Sequence, residues 1–295
     1  MRRNTNDTAW KLLIAFTISL LATFSMLYLV AMGKMQAFSK LLDPSLLIGL
    51  FALLAGIAFS ISYYEYHGIG PQEGITRRGP HQNIVSLTFD DGPSPTYTPQ
   101  ILDILEEKGV KASFFVVGQN VEKYPDIARR IVAEGHDIGN HTYSHRELVP
   151  STKKIVENQL EKTDSAIQKT TGVRTKLFRP PRGMLSNAVR ALVVAHGYRI
   201  ILWTASSMDW SGVSPRTMAM RLRLFMRRGA IILFHDSGAL IRNEGASRGN
   251  TVQALPMIID HLRDKKGYEI VPVSEMLSRL GEDEIIQPEE ALEQA

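Results

Sequence analysis

Between residues 84 and 270 the chain repeats one order: a short apolar run, a polar loop, an amphipathic stretch of helical period, then a glycine. The helical stretches cover residues 98–108, 124–134, 151–171, 186–196, 214–228 and 251–266, and the glycines that follow are Gly109, Gly135, Gly172, Gly197, Gly229 and Gly267. Glycine just past a helix supplies the left-handed backbone that ends it. The runs at 84–89, 112–117, 177–178, 199–202 and 230–234 have the composition of buried strands. Such alternation predicts βα units on a mainly parallel sheet. Six or seven units in this length suit a small α/β barrel, with an open doubly wound sheet as the alternative. In either fold, residues just after the apolar runs stand at the C-terminal ends of strands, where such sheets place their sites.

The first quarter of the chain is of another kind. Two stretches, one between Lys11 and Lys34 and one between Asp43 and Glu65, carry no charged residue. Each is long enough for a membrane-spanning helix, and the expected helices cover about 12–33 and 45–62. The first exceeds a signal-peptide core and lacks a small-residue cleavage site after it, so it reads as a retained anchor. The second contains Gly49 and Gly56, which leaves a buried or interfacial helix as its other reading. Residues 1–62 are therefore expected to form a membrane region in contact with lipid. Residues 63–82, rich in glycine and proline, are expected to form a linker. The tail 281–295 holds six acids and no base and is expected to be solvated and disordered. The remaining 83–280 is net basic, which favours an anionic polymer or lipid headgroups. No basic run interleaved with aromatics points to nucleic acid.

The chain has no cysteine. Disulfides, thiolate nucleophiles and cysteine-held zinc are excluded, so any metal must be held by imidazole and carboxylate. The run 84–89 leads into Asp90 and Asp91 before Gly92. Adjacent carboxylates repel unless a cation or a proton intervenes, although an ordinary Asp-Gly turn explains the same letters. His141 and His145 stand four apart, a spacing at which two imidazoles can meet one ion. His136, in a turn after Gly135, reads as structural. Arg179 is fixed beside Pro180 and Pro181, either as a fork for a carboxylate or as a surface arginine. Asp209 lies between Trp203 and Trp210, and His235 ends the run 230–234, where a core histidine is the plainer reading.

In this order, these pieces resemble the polysaccharide deacetylases of carbohydrate esterase family 4, the NodB-homology domain. The resemblance covers about residues 83–280 and rests on five motifs in register: Thr88-Phe89-Asp90-Asp91-Gly92, His141-x-x-x-His145, Arg179-x-Pro181-x-Gly183, Asp209-Trp210 and Leu233-x-His235. It implies a distorted (β/α)7-type barrel that removes N-acetyl groups from an N-acetylated cell-wall glycan, above all peptidoglycan. It further implies that Asp91, His141 and His145 hold a divalent metal, commonly Zn2+, with Co2+, Ni2+ or Mn2+ as substitutes. Asp90 would be the general base, kept ionised by Arg179. His235 would be the general acid, supported by Asp209. The backbone N–H of Arg182 would stabilise the oxyanion, and Trp210 and Leu233 would line the acetyl pocket. Two positions depart from the family pattern: Arg182 stands where tyrosine is common, and Ser206 replaces an aspartate. The form Phe-Arg-Pro-Pro-Arg-Gly resembles the branch that includes muramic-acid deacetylases.

Two other functions compete: an amidohydrolase acting on a small amide, and a catalytically silent glycan-binding membrane protein. If both apolar stretches span, the basic flanks at Arg2, Arg3, Lys11, Arg77 and Arg78 favour both ends in the cytoplasm. A wall substrate favours the opposite, an extracytoplasmic domain on the cell membrane, and that placement is the expectation adopted.

Overall fold

The computed structural model describes residues 49, 51–57, 74–238 and 247–280. The chain divides into two compact units, Met1–Ile69 and Gly70–Ala295. Of the first unit only the helical residues 49 and 51–57 are described; the expected spans 12–33 and 45–62 otherwise lie outside the described residues, as does the tail 281–295. Among the described residues no helix is long and apolar enough to cross a membrane.

The second unit is a curled parallel sheet wrapped by helices. Its strands are β1 (Ile75–Thr76), β2 (Ile84–Asp90), β3 (Ser113–Val116), β4 (Asp137–Asn140), β5 (Leu177–Phe178), β6 (Arg199–Ile201), β7 (Ala205–Ser206), β8 (Ala230–His235) and β9 (Glu269–Ile270). The helices are α1 (Thr98–Glu107), α2 (Gly118–Lys123), α3 (Pro125–Ala133), α4 (Lys153–Thr171), α5 (Asn187–Ala195), α6 (Pro215–Phe225), α7 (Gly249–Asp260) and α8 (Val273–Ser278). The spatial order is β1-β6-β5-β4-β3-β2-β8-β7, with β9 also on β2, and every strand pair is parallel.

From β2 the chain steps through β3, β4, β5 and β6 in one direction, then returns through β7 and β8 to the other side of β2. A doubly wound sheet would reverse its winding at a switch point. This one does not, so of the two expected α/β architectures the structure has the barrel-like winding. It is opened along a seam, because β6 and β7 do not pair. Residues 75–79 fill that seam: β1 pairs with β6, Arg78 bridges Ala230, and Gly79 N–H donates to the Gly229 carbonyl at 2.8 Å. Gly229 sits at φ 72°, and a β-carbon there would lie 2.4 Å from the Pro80 carbonyl oxygen. Only glycine permits both the turn and that approach.

β1 corrects the expectation that residues 63–82 are all linker; two residues are too short for a periodic signal, but the seam supplies their partners. β4 follows Gly135, as the repeat predicts, but without an apolar run to mark it. Its residues Asp137, Ile138, Gly139 and Asn140 hold one apolar side chain, yet Gly139 is required there, since an added β-carbon would meet the Phe115 ring at 2.6 Å. All six predicted βα glycines do precede a strand.

All seven residues of β2 are buried because β2 lies between β3 and β8, and its two faces differ. Val85, Leu87 and Phe89 join the large core shared with the helices, where Phe89 stacks on Phe114 and Phe234. Strand alternation turns Ile84, Ser86, Thr88 and Asp90 the other way, into the barrel. Near the base, Ile84 packs with Phe115, Ile201, Ile231 and Met276 of α8. Above it the hydroxyls of Ser86 and Thr88 donate to the Val271 and Ile232 carbonyls, at 2.7 Å each. The inner face of β2 thus passes from apolar at the base to ionic at the top, where Asp90 ends the strand.

Candidate active site

Parallel register brings the predicted residues to one rim. Asp90 of β2 stands opposite His235 of β8, and both alternate into the interior. His141 follows β4 directly, Arg179 follows β5, and Asp209 follows β7. Among the described residues, five non-glycine residues have positive φ: Asp91, Thr142, His145, Arg182 and Met208. All stand in the loops that carry the motifs. Backbone strain of this sort persists where the surroundings enforce it, commonly at functional sites.

Asp91, His141 and His145 converge, each offering one donor atom within 4.8 Å of the others. Asp91 Oδ1 lies 3.4 Å from the Nε2 atoms of both histidines. Three features show that this set fits a divalent ion. His141 Nδ1 is 2.7 Å from the Arg179 carbonyl, which fixes the proton on Nδ1 and leaves the Nε2 lone pair facing the cluster. Burial first, and His141 second, push the His145 imidazole down to about 4, so it is neutral and able to ligate at pH 7. Burial would raise the Asp91 carboxyl, but first its hydrogen bond to His141 and then the charge of His235 hold it below its ordinary value. Its second oxygen, Oδ2, is buried with no hydrogen-bond partner. His136 stands apart, as expected: its Nδ1 accepts the Ala112 N–H at 3.1 Å, and burial, then Lys111, keeps it neutral with a pKa of about 4.

Two ion pairs flank the triad. Arg179 is fully buried and gives Nη1 to Asp90 Oδ1 at 2.7 Å and to Thr88 Oγ1 at 2.8 Å, while Nε donates to the Ile201 carbonyl at 3.0 Å. Its guanidinium lies over the Phe115 ring, 4.1 Å from the centroid. Asp90 Oδ2 is left 3.8 Å from His141 Nε2, directed at the triad. On the opposite side, Asp209 accepts His235 Nδ1 at 2.8 Å, the His235 backbone N–H at 2.7 Å and the Thr251 hydroxyl at 3.0 Å. Burial opposes protonation of His235, but the Asp209 hydrogen bond and charge outweigh it and lift the imidazole to about 9. Neither arginine nor histidine takes the plainer reading offered by sequence, as a surface or core residue.

The remaining predicted residues lie around this pair of carboxylates. Arg182, at φ 56°, forms the turn after Pro181; its side chain reaches Glu147 of the His145 loop at 2.7 Å, an exposed pair that ties two motif loops together. Gly183 could not carry a β-carbon, which would meet Trp203 at 2.8 Å, so Trp203 sets the shape of that turn. Leu233 is 5% exposed in β8, whereas Trp210 is 59% exposed. Ser206, the departure from the family pattern, accepts the Met208 N–H at 3.2 Å and makes no carboxylate contact.

Sequence reasoning missed three residues. Thr251 completes the shell of Asp209, and Thr88 that of Arg179; Thr88 stood within the first motif, but Thr251 gave no signal. Asp236 is fully buried and, mainly by burial, raised to about 7. It accepts the Thr98 hydroxyl at 2.6 Å and presses on Gly92, where a β-carbon would lie 2.1 Å from its Oδ2. That contact backs the turn holding Asp91.

The sequence profile of the family described as "Polysaccharide deacetylase" matches residues 77–201. A peptidoglycan N-acetylglucosamine deacetylase whose crystal structure is known, in complex with a hydroxamate, superposes with a TM-score of 0.65 at 35% identity, over 70% of this chain and 94% of that one. This chain belongs to the polysaccharide deacetylase family. A curated member, "Peptidoglycan-N-acetylglucosamine deacetylase" of Bacillus cereus, is 38% identical over 63% of this chain and 66% of its own length. A pseudoenzyme of carbohydrate esterase family 4 from Bacillus anthracis is also similar, with a TM-score of 0.63 at 28% identity, over 71% of this chain and 70% of that one. Membership alone therefore does not decide activity; the side chains of the deacetylase site must.

Proposed function

We propose that this polysaccharide deacetylase hydrolyses N-acetyl groups of amino sugars in a cell-wall glycan, most fittingly peptidoglycan, with a divalent metal at Asp91, His141 and His145. The supporting observation is the complete set on one rim: three ligands, a base held by an arginine, and an acid held by an aspartate. Two imidazoles and a carboxylate with no thiol suit Zn2+. Such an ion, when bound, polarises the acetamide carbonyl and makes water more acidic.

The chain's own residues supply the rest. Arg179 occupies Asp90 Oδ1, so Oδ2 is free to take a proton from the attacking water. The Arg182 N–H is a backbone donor for the oxyanion that forms on the former carbonyl. His235 gives its proton to the departing nitrogen, which leaves poorly as an anion, and Asp209 stabilises the imidazolium beforehand. A silent glycan-binding protein would have no need of either ion pair. Peptidoglycan is assembled outside the cytoplasm, and we place the domain there; protease sensitivity on intact cells, without lysis, tests that placement.

The experiment is acetate release from N-acetylglucosamine oligomers and from purified peptidoglycan, with and without chelator. Release from glycan that stops on chelation and returns with Zn2+ is expected. Release only from small amides would favour a general amidohydrolase, and none from any substrate would favour the silent protein.

Asp209→Asn tests the acid. A raised imidazole pKa keeps His235 protonated until pH climbs past it, so activity falls on the alkaline side. Asparagine removes the charge that lifts His235, and burial then depresses it. The alkaline limb of kcat should move down by more than one pH unit, with a loss of roughly tenfold or more above neutrality. A bound cation lowers the limb in both proteins, so their difference is the readout. An unmoved limb would remove His235 from the role.

A further inference from the structure

Among the described residues of the second unit, the large apolar side chains that stand exposed are Trp210, Met220, Leu224, Phe225 and Met257, and three of them belong to α6. Met220, Leu224 and Phe225 are 59%, 70% and 41% exposed. On the opposite side of this helix Met218, Ala219 and Leu222 are buried against the barrel. Helical period sets Arg216, Met220, Arg223 and Leu224 on one outer stripe. Residues 215–228 hold five arginines and no acid. Arg216, Arg223 and Arg228 are exposed, and the guanidinium of Arg221 lies over the Phe225 ring at 5.1 Å. Next to α6, Met257 of α7 adds apolar surface, and Lys265 and Lys266 add charge; burial first, then Arg223, Lys266 and Lys265, hold the pKa of His261 below its ordinary value. The nearby acids are already engaged, Asp260 by Lys108 at 2.8 Å and Asp264 by Arg263 at 2.9 Å.

We propose that the outer face of α6 is a docking surface for an anionic lipid bilayer. An apolar stripe flanked by arginines matches the boundary between phosphate headgroups and acyl chains, with the long arginine stems lying along the apolar surface and their guanidiniums at the phosphates. Charge complementarity selects anionic lipid over a neutral apolar partner. The direction of the helix adds a consequence. α6 runs from the rim, near Ser206, back to the start of β8, so Leu224, Phe225 and Arg228 lie toward the base of the barrel. Seated on that end, the domain turns its rim, with Asp90 and His235, away from the bilayer. The inference is independent of the reaction proposed above.

The absence of native cysteine allows a single label. Leu224→Cys, coupled to an environment-sensitive nitrobenzoxadiazole dye, is placed in the full chain and reconstituted in nanodiscs of phosphatidylcholine or of an equal mixture with phosphatidylglycerol. Lys169→Cys, at an exposed position of α4, is the control. The expected result is a blue shift with increased intensity at position 224 in the mixed lipid only, reversed by high salt and lost with Arg216, Arg223 and Arg228 changed to Gln, while position 169 does not respond. No shift at position 224 in mixed lipid, or an equal shift in phosphatidylcholine alone, would overturn the proposal. A shift that follows protein concentration whatever the lipid would overturn it in favour of self-association.

Discussion

Asp90→Asn should lower acetate release by roughly 10²- to 10⁴-fold, the range a positioned general base supplies, while metal content and fold are retained. The amide keeps an oxygen where Arg179 Nη1 now donates at 2.7 Å, so the buried guanidinium retains an acceptor and the barrel top keeps its shape. It lacks the capacity that the oxygen directed at the triad must have, which is to accept a proton and hold it through the step. The ligands Asp91, His141 and His145 are untouched, so bound metal per chain, read by elemental analysis, should stay at the wild-type ratio. This split between rate and metal content separates loss of the base from loss of the centre. An Asp90→Asn protein within about tenfold of the wild-type rate would assign proton removal to another group. One that lost both metal and rate would make Asp90 a ligand instead.

How much of this site can be read from letters depends on what each residue needs from distant chain. The six helix-glycine repeats were legible because each is local: period and cap lie within one short stretch, and all six glycines precede a strand. Once the winding is known, the positions after β2, β4, β5, β7 and β8 must share a rim, which is why the motif residues converge. The seam was not legible. Whether β6 meets β7 is settled by residues 75–79, which have no periodic pattern and gain their identity only from Ile201 and Ala230. Partners from late in the chain, such as Thr251 on Asp209, were equally silent, since a threonine on a helix face resembles any other. Asp236 was visible beside His235, but nothing local says that it would be buried against Gly92. The strand β4 illustrates the opposite case: its polar and glycine-containing sequence is dictated by the close approach of Phe115 at Gly139 and by the network of Asn140, whose amide nitrogen reaches the Leu160 carbonyl at 3.1 Å and the Tyr198 hydroxyl at 2.9 Å.

The second large effect concerns stability as well as rate. Arg179→Met should destabilise the fold by about 3–5 kcal/mol, because removing one partner of a buried pair leaves the other charge uncompensated. The arginine is 0% exposed, and burial pulls its guanidinium below the ordinary value without taking it near neutrality in the working range. Methionine fills much of the space over Phe115 but leaves the Ile201 carbonyl, the Thr88 hydroxyl and the Asp90 carboxylate without their donor. Lysine should rescue little, since one ammonium cannot reproduce a planar fork serving Ile201, Thr88 and Asp90 together. If the orphaned carboxylate dominates the loss, adding Asp90→Asn to Arg179→Met must restore stability, although each change is harmful alone. The double variant is expected to be at least about 1 kcal/mol more stable than Arg179→Met, the order of cost that an unmatched buried charge adds over a neutral amide. Urea midpoints at constant slope measure both differences. A double variant no more stable than the single one would mean that the lost carbonyl partners and packing set the cost. The role of Arg179 at the site would then be structural support of the β5 end, not the orientation of Asp90.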